Sequence, residues 1–336
     1  MKAKAPGKLI LSGEHSVVYG APAIAVAVEQ SVTAAFTPHD TNSLTIHSYG
    51  LGIFKLKTSE LQSLVELLDQ RFQRFISDQI SISELLDSPG DLLFYTLAQS
   101  GFKSSGQIDI KSDIPTGSGM GSSAAVIAAL SKLAESSARE SSASFNSDLD
   151  NLFTRVRYCE RLQHGRGSAI DAAAVTYGGV IKVVGGHVSS LPINLDQNWY
   201  TWSSGTPDST TGETVAAVRQ KHASSDIWDK FKVVTETFEK ALKDKKPSRI
   251  LEQIRCNSQL LEQIGVVPKP VEKVIREIER LGGAAKICGA GSIQGESGGQ
   301  VLVYLPDLNV NDISRSLQIC LEPLKPSYHG ACLEKD

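Results

Sequence analysis

The chain has 336 residues, 41% of them hydrophobic and 21% charged, with a formal net charge of −3. This length accommodates two domains or one large one, and the composition is that of an ordinary soluble globular protein. Such a balance gives no general argument for nucleic-acid or membrane binding, and no apolar run reaches the length of a membrane span. Five cysteines (Cys159, Cys256, Cys288, Cys320 and Cys332) are odd in number and lack metal-ligand spacing. They read as free thiols in a reducing compartment. The opening Met1-Lys2-Ala3-Lys4-Ala5-Pro6-Gly7 is too polar and broken for a signal peptide, so the expectation is a cytoplasmic protein.

In chain order, residues 8–12 read as a short buried strand interrupted by Gly13-Glu14-His15. Two more strand-like runs, 21–28 and 32–36, precede an alternating run at 44–47, which predicts an antiparallel β layer rather than a nucleotide-binding βαβ unit. A helical region over 60–98 is amphipathic around Leu64, Leu67, Leu68, Phe72, Phe75 and Ile76. Ile108, Ile110 and Ile114 then share one parity, as on a half-buried strand.

The most informative stretch follows: Pro115-Thr116-Gly117-Ser118-Gly119-Met120-Gly121-Ser122-Ser123. Glycines at alternate positions allow a tight turn and present bare amides to an oxygen ligand. Val126, Ile127, Leu130, Leu133 and Ala134 recur at helical spacing, so the loop opens into a helix N-terminus suited to an anion. No Gly-Lys-Ser/Thr closes it, so it is not a Walker A loop. On this window alone a glycine turn with no ligand remains an open reading.

Residues 135–147 are serine-rich and poor in apolar side chains, and read as a loop or a frayed helix end. Ser147 and Asp150 have capping-box spacing. The helix that follows puts Leu149, Leu152, Phe153 and Val156 on one face, with Arg155, Arg157 and Arg161 elsewhere. Glu160 falls on the apolar stripe. A carboxylate there is costly unless paired or metal-bound, which leaves a surface position at a fraying end, a buried salt bridge and a metal ligand as three readings. In His164-Gly165-Arg166-Gly167-Ser168-Ala169-Ile170-Asp171, Ser168 caps a new helix whose first turn holds Asp171, a position that complements the helix dipole by itself. Gly178-Gly179 ends that helix, and 180–184 with 187–193 form a hairpin turned by Gly185-Gly186.

Composition changes near Asp196. Helices over 214–223, 226–243, 247–264 and 270–281, strands over 284–288 and 300–305, and a last helix over 310–321 predict helices packed on a small antiparallel sheet. The expected units are 1–195 and 196–336.

Three separated segments now share one character: 4–20, including Gly13-Glu14-His15-Ser16-Val17-Val18-Tyr19-Gly20; the 115–123 loop; and Lys286-Ile287-Cys288-Gly289-Ala290-Gly291-Ser292. In this order and spacing they resemble the three motifs of the GHMP small-molecule kinases, and the first is most similar to that of the mevalonate kinases. The resemblance implies an α+β, two-domain GHMP kinase fold. Its N-terminal ATP-binding domain would have a left-handed βαβ unit, and its C-terminal domain would be ferredoxin-like. It also implies transfer of the ATP γ-phosphoryl group to the 5-hydroxyl of mevalonate with Mg²⁺. Within the class, phosphomevalonate or a sugar is the alternative acceptor, and a non-catalytic ligand sensor is the alternative outside it.

Carried over position by position, the resemblance implies a triphosphate cradle from Pro115, Gly117, Ser118, Gly119, Met120, Gly121, Ser122 and Ser123. Ser123 and Glu160 match the Mg²⁺ ligands. Asp171, eleven residues after Glu160, matches the catalytic base, and Lys8 the lysine that keeps it ionised. Glu14, His15, Tyr19 and one of Thr210 or Thr211 would face the substrates. A homodimer is implied by resemblance only. The chain departs from the pattern in lacking a proline before Ser168, in Ala169 for a glycine, in a third motif lengthened by Ser292-Ile293-Gln294-Gly295-Glu296-Ser297-Gly298-Gly299, and in lacking an arginine near Asp208.

Overall fold

Continuous apolar runs at 9–11 and 23–28, buried on both faces, build β1 (Lys2–Ser12) and β2 (Ala23–Pro38), a long antiparallel pair at the centre of the larger of two sheets. The computed structural model describes residues 1–115, 117–139, 149–165 and 168–334. The pair is followed by β3 (Ser43–Ser48), β4 (Gly52–Lys57), α1 (Leu61–Ile76), α2 (Pro89–Gln99), β5 (Gly106–Ser112), α3 (Ser122–Arg139), α4 (Leu149–His164) and α5 (Ala169–Tyr177). Next come β6 (Val180–Val184), β7 (His187–Leu191), β8 (Trp199–Ser203), α6 (Thr211–His222), α7 (Ile227–Lys243), α8 (Pro247–Gln263) and α9 (Lys269–Arg280). Finally β9 (Ala284–Ile287), β10 (Gln300–Tyr304), α10 (Val310–Leu317), β11 (Glu322–Pro323) and β12 (Cys332–Glu334) complete the chain.

The larger sheet runs β12-β1-β2-β5-β3-β4, with the β6–β7 hairpin added to the first part of β2. β3 and β5 are parallel neighbours joined through β4, α1 and α2. Sequence reading divides β2 into two runs, but the polar Glu29-Gln30 between them is a bulge. Pro6 faces Ser31 whereas Gly7 faces Val28. A Cβ on Gly7 would lie 3.1 Å from the Gln30 carbonyl oxygen, so glycine permits the close approach. Bulges re-aim the next side chain, and here the next one is Lys8. β4 escapes sequence detection because its outward edge is largely exposed and studded with Lys55 and Lys57.

α3 and α5 pack on β1 and β2. Ala124, Ala125, Ala128 and Ala129 are fully buried, and their small side chains let α3 lie close to the sheet. Of the two readings of residues 135–147, loop or helix end, the second holds for the first five: α3 continues to Arg139. The inward Glu135 is tolerated because Lys132 Nζ and Arg155 Nη1 each approach its carboxylate to 3.0 Å. The rest of that stretch, Ser147 of the expected capping box, Thr116, and Arg166 with Gly167 lie outside the described residues. Arg161 leaves the apolar stripe of α4 but is held between the rings of Phe72 and Tyr158, at 4.1 and 4.0 Å.

The smaller sheet has the order β11-β8-β10-β9, all antiparallel, which in its own numbering is 4-1-3-2, the ferredoxin-like order. β8, an aromatic Trp-Tyr-Thr-Trp run absent from the sequence reading, is its second strand. Val271, Ile275 and Ile278 of α9 and Phe231 of α7 pack with Ile287, Val301 and Val303. Phe238 and Leu242 of α7 and Ile254 of α8 instead join the core of the larger sheet, so these helices tie the two layers together. Among the described residues no helix is long and apolar enough to cross a membrane.

The C-terminal segment returns to the larger sheet: β12 pairs with β1, and Ala331 N–H donates to the Val175 carbonyl at 2.8 Å. Gly178, which ends α5 at φ 74°, has Gly330 N and His329 C each 2.5 Å from where a Cβ would sit. Gly178→Ala should therefore cost about 1–3 kcal/mol through strain and overpacking. An unchanged denaturant midpoint in that variant would refute the packing described.

Candidate active site

Three charged side chains meet where α4, α5 and β1 converge. The bulge in β2 directs Lys8, 4% exposed, toward the first turn of α5, and its Nζ lies 2.8 Å from Asp171 Oδ1. Ser168 caps α5 as its sequence suggests, its hydroxyl accepting from the Asp171 amide at 3.2 Å. Asp171 is partly exposed. Glu160 is 1% exposed, which removes the surface reading; among the described residues it forms no ion pair, and its Oε2 has no hydrogen-bond partner. Burial pushes its carboxyl well above the ordinary carboxylate range, and the Asp171 charge adds to the shift, while Lys8 and the Ser168 backbone oppose it. Two carboxylates and one ammonium leave this cluster short of positive charge.

The glycine loop closes over the same spot. Gly117, Gly119 and Gly121 take φ of 70°, 73° and 73°, the left-handed conformation that sequence alternation anticipates. Met120 is buried and its carbonyl accepts from the Lys8 amide at 2.9 Å, which ties the loop to β1. Ser118 is buried and donates to the Pro115 carbonyl at 2.7 Å. Gly121 faces the Lys8 stem, 3.0 Å from a notional Cβ to Cγ. Ser122 begins α3 directly after Gly121, so the first-turn amides of that helix start beside the Lys8 stem. Ser123 donates to Gln163 Oε1 of α4 at 2.7 Å.

The third motif completes the enclosure. A Cβ on Gly289 would lie 3.7 Å from the Gly119 carbonyl oxygen, so the two glycine turns pass close to each other. Its lengthened part is fastened by buried hydroxyls: Ser209 Oγ lies 2.7 Å from Ser292 Oγ and 2.9 Å from Thr214 Oγ1. Of the threonines proposed to face substrate, Thr210 caps α6 by accepting from the Glu213 amide, Thr211 starts that helix, and both are exposed. Glu14 is fully buried, where its carboxylate pairs with Lys286 and accepts from Asn257 Nδ2 at 3.4 Å. His15 Nε2 lies 2.9 Å from the Ala290 carbonyl, which requires the Nε2–H tautomer, and burial pushes its pKa down. Tyr19 stacks on Trp228 with ring centroids 4.1 Å apart. Sequence reading assigns no role to Gln163 or Lys286; only an ammonium set among apolar strand residues hints at the latter.

Comparison with known proteins bears on the identity of this arrangement. The GHMP kinases N terminal domain family matches residues 91–179, which span the glycine loop, Glu160 and Asp171. A mevalonate kinase of Archaeoglobus fulgidus is 30% identical over 87% of this chain and 89% of its own length. The chain belongs to the GHMP kinase family, on its mevalonate kinase branch. The mevalonate kinase of Arabidopsis thaliana is 27% identical over 93% of this chain and 92% of its own. The crystal structure of Methanococcus jannaschii mevalonate kinase superposes with a TM-score of 0.77 at 18% identity, covering 100% of this chain and 98% of that one. As a GHMP kinase of this branch, the protein is an ATP-dependent kinase.

The residues present fit a hard divalent cation. Glu160 offers an unpartnered carboxylate oxygen and Ser123 a hydroxyl at the facing end of α3, both oxygen donors. Among the described residues no group of three or more His, Cys, Asp or Glu could hold a metal ion, so phosphate oxygens would have to complete the coordination.

The raised Glu160 carboxyl carries a sign. The folded protein holds its proton more tightly than the unfolded chain, so its contribution to stability falls as pH rises above the unfolded value toward the folded one. In Glu160→Gln that slope disappears. Without divalent cations, the variant should gain stability relative to the parent as pH rises above the ordinary carboxylate range. Parallel stability–pH curves from chemical denaturation would contradict the unpartnered, buried carboxylate.

Proposed function

We propose that this kinase transfers the ATP γ-phosphoryl group to the 5-hydroxyl of mevalonate, giving 5-phosphomevalonate. The single observation that carries the chemistry is the Lys8–Asp171 ion pair set against the glycine loop and the buried Glu160, whose Oε2 has no hydrogen-bond partner. The acceptor is supported by the relatives named mevalonate kinase, which align over most of the chain. We also propose division into an ATP-binding unit of 1–195 and a second unit of 196–336, and a cytoplasmic location in accord with five free thiols.

The backbone amides of 117–123 and the α3 N-terminus hold the triphosphate, a task for preorganised donors rather than covalent chemistry. Mg²⁺, held by Glu160 and Ser123, would neutralise charge on the β- and γ-phosphates. Asp171 orients the acceptor hydroxyl and takes its proton as the new oxygen–phosphorus bond forms and the bond to the leaving ADP breaks. Lys8 holds the Asp171 carboxylate in place through their 2.8 Å ion pair, so the aspartate is aimed at the acceptor hydroxyl. The ammonium also faces charge developing on the transferred group.

A coupled ADP-release assay across mevalonate, phosphomevalonate and galactose tests the acceptor: turnover with mevalonate is expected, and none with any of the three would end this reading. Asp171→Asn should lower kcat by about 10²–10⁴-fold while ATP binding, measured by titration calorimetry, survives. Near-normal kcat in that variant would refute the role given to Asp171.

A further inference from the structure

We propose that Lys286 is a positioning residue: its buried ammonium sets the register between β1 and the two glycine turns, and Glu14 is its counter-charge rather than a group that touches substrate. The inference rests on the kinase reading above and deepens it.

Lys286 lies in β9 of the smaller sheet and is 0% exposed. Its ammonium has three donors, and three acceptors surround it: the Ile287 carbonyl at 2.8 Å, the Ile10 carbonyl at 3.2 Å and the Glu14 carboxylate. Ile10 stands two residues from Lys8 on β1, so this ammonium braces the strand that carries the charge beside Asp171. The Glu14 turn is fastened again one residue later, where His15, at the unfavourable φ of 57°, donates to Ala290. On its far side, Gly289 rests against Gly119 of the glycine loop. One side chain thus links the strand bearing Lys8, the first-motif turn and the third-motif turn that abuts the phosphate loop.

Stability alone does not account for an ion pair in this place. Two charges taken wholly out of water lose hydration that their attraction only partly returns, and apolar replacements of like volume are often as stable. What such replacements lack is direction: the ammonium points to three named oxygens, whereas methyl groups accept many registers. Glu14 is spent in the same way, with one carboxylate oxygen on Lys286 and the other on Asn257.

The test compares Glu14→Gln, Lys286→Met and the double variant with the parent by thermal melting, kcat with mevalonate, and affinity for a non-hydrolysable ATP analogue. Each single variant leaves a buried group without its partner and should melt well below the parent. The double variant, with no charge left in the pair, should regain most of the parent Tm while kcat stays about 10- to 100-fold down and analogue affinity falls about tenfold. Parent-like kcat and affinity in a re-stabilised double variant would overturn the proposal. So would a double variant that melts as low as the singles, because the pair would then hold the fold rather than its register. Should the parent itself phosphorylate none of the three acceptors, the kinase reading fails, and the analogue affinities still decide the positioning claim.

Discussion

The buried ammonium of Lys8 pairs with one of two neighbouring carboxylates and acts on the other only through its charge. Asp171 is its ion-pair partner, and Glu160 lies close enough that the Asp171 charge raises its proton affinity. Like charges at short range in a poorly solvated place oppose joint ionisation, so one cation among two acids leaves the cluster prepared for further positive charge. Everything that positions Lys8 therefore bears on the chemistry. The β2 bulge turns it inward, the Met120 carbonyl holds its amide, and Gly121 makes room for its stem. A side chain on Gly7 or Gly121 would press on that arrangement directly.

Around this corner the two sheets are joined by polar contacts as well as by a shared core. The larger sheet supplies Lys8 and, through the helices packed on it, Asp171, Glu160 and Ser123; the smaller supplies Lys286 and the glycine turn of the third motif. The lengthened third motif does not hang free. Ser209, Ser292 and Thr214 are all buried and satisfy one another, and the Gly299 carbonyl accepts from Ser204 Oγ at 2.8 Å. Short hydroxyls suit this task because each donates and accepts without the rotamer entropy of a longer side chain. The departure from the usual glycine-rich pattern is thereby built into the wall beside the phosphate loop, where Gly117 approaches Thr206 and Gly299 approaches Ser118.

Much of this was legible along the chain. Apolar runs marked β1 and β2, period-two alternation marked β3 and β5, Gly185-Gly186 marked the β6–β7 hairpin, and the Ser168–Asp171 spacing marked the cap of α5. Glu160 stood out because its position on an apolar stripe needed an explanation, and burial without an ion pair sharpens that need. Other features left weak traces. β4 is an exposed edge with no fully buried residue, and β8 is only five residues long. α3 outlasts its apolar stripe because Glu135 finds cations on two elements, one of them 20 residues away. Local propensity carries no information about a partner that distant.

By itself the sequence determined which residue types were available for phosphate binding and proton transfer, and that they belong to a GHMP kinase. Glycine spacing, helix caps and strand parity are local properties, so they survive in one dimension. Which groups touch depends instead on strand register and on which face of each sheet is covered. Lys8 and Asp171 are separated by nearly half of the 336-residue chain yet meet at 2.8 Å, and Glu14 pairs with a lysine 272 residues away. Only the closed structure reveals that Glu14 is a buried counter-ion and that Thr210 is occupied in capping α6. The physical reason is desolvation: a charge acquires its function from what replaces its water, and that replacement comes from the whole fold.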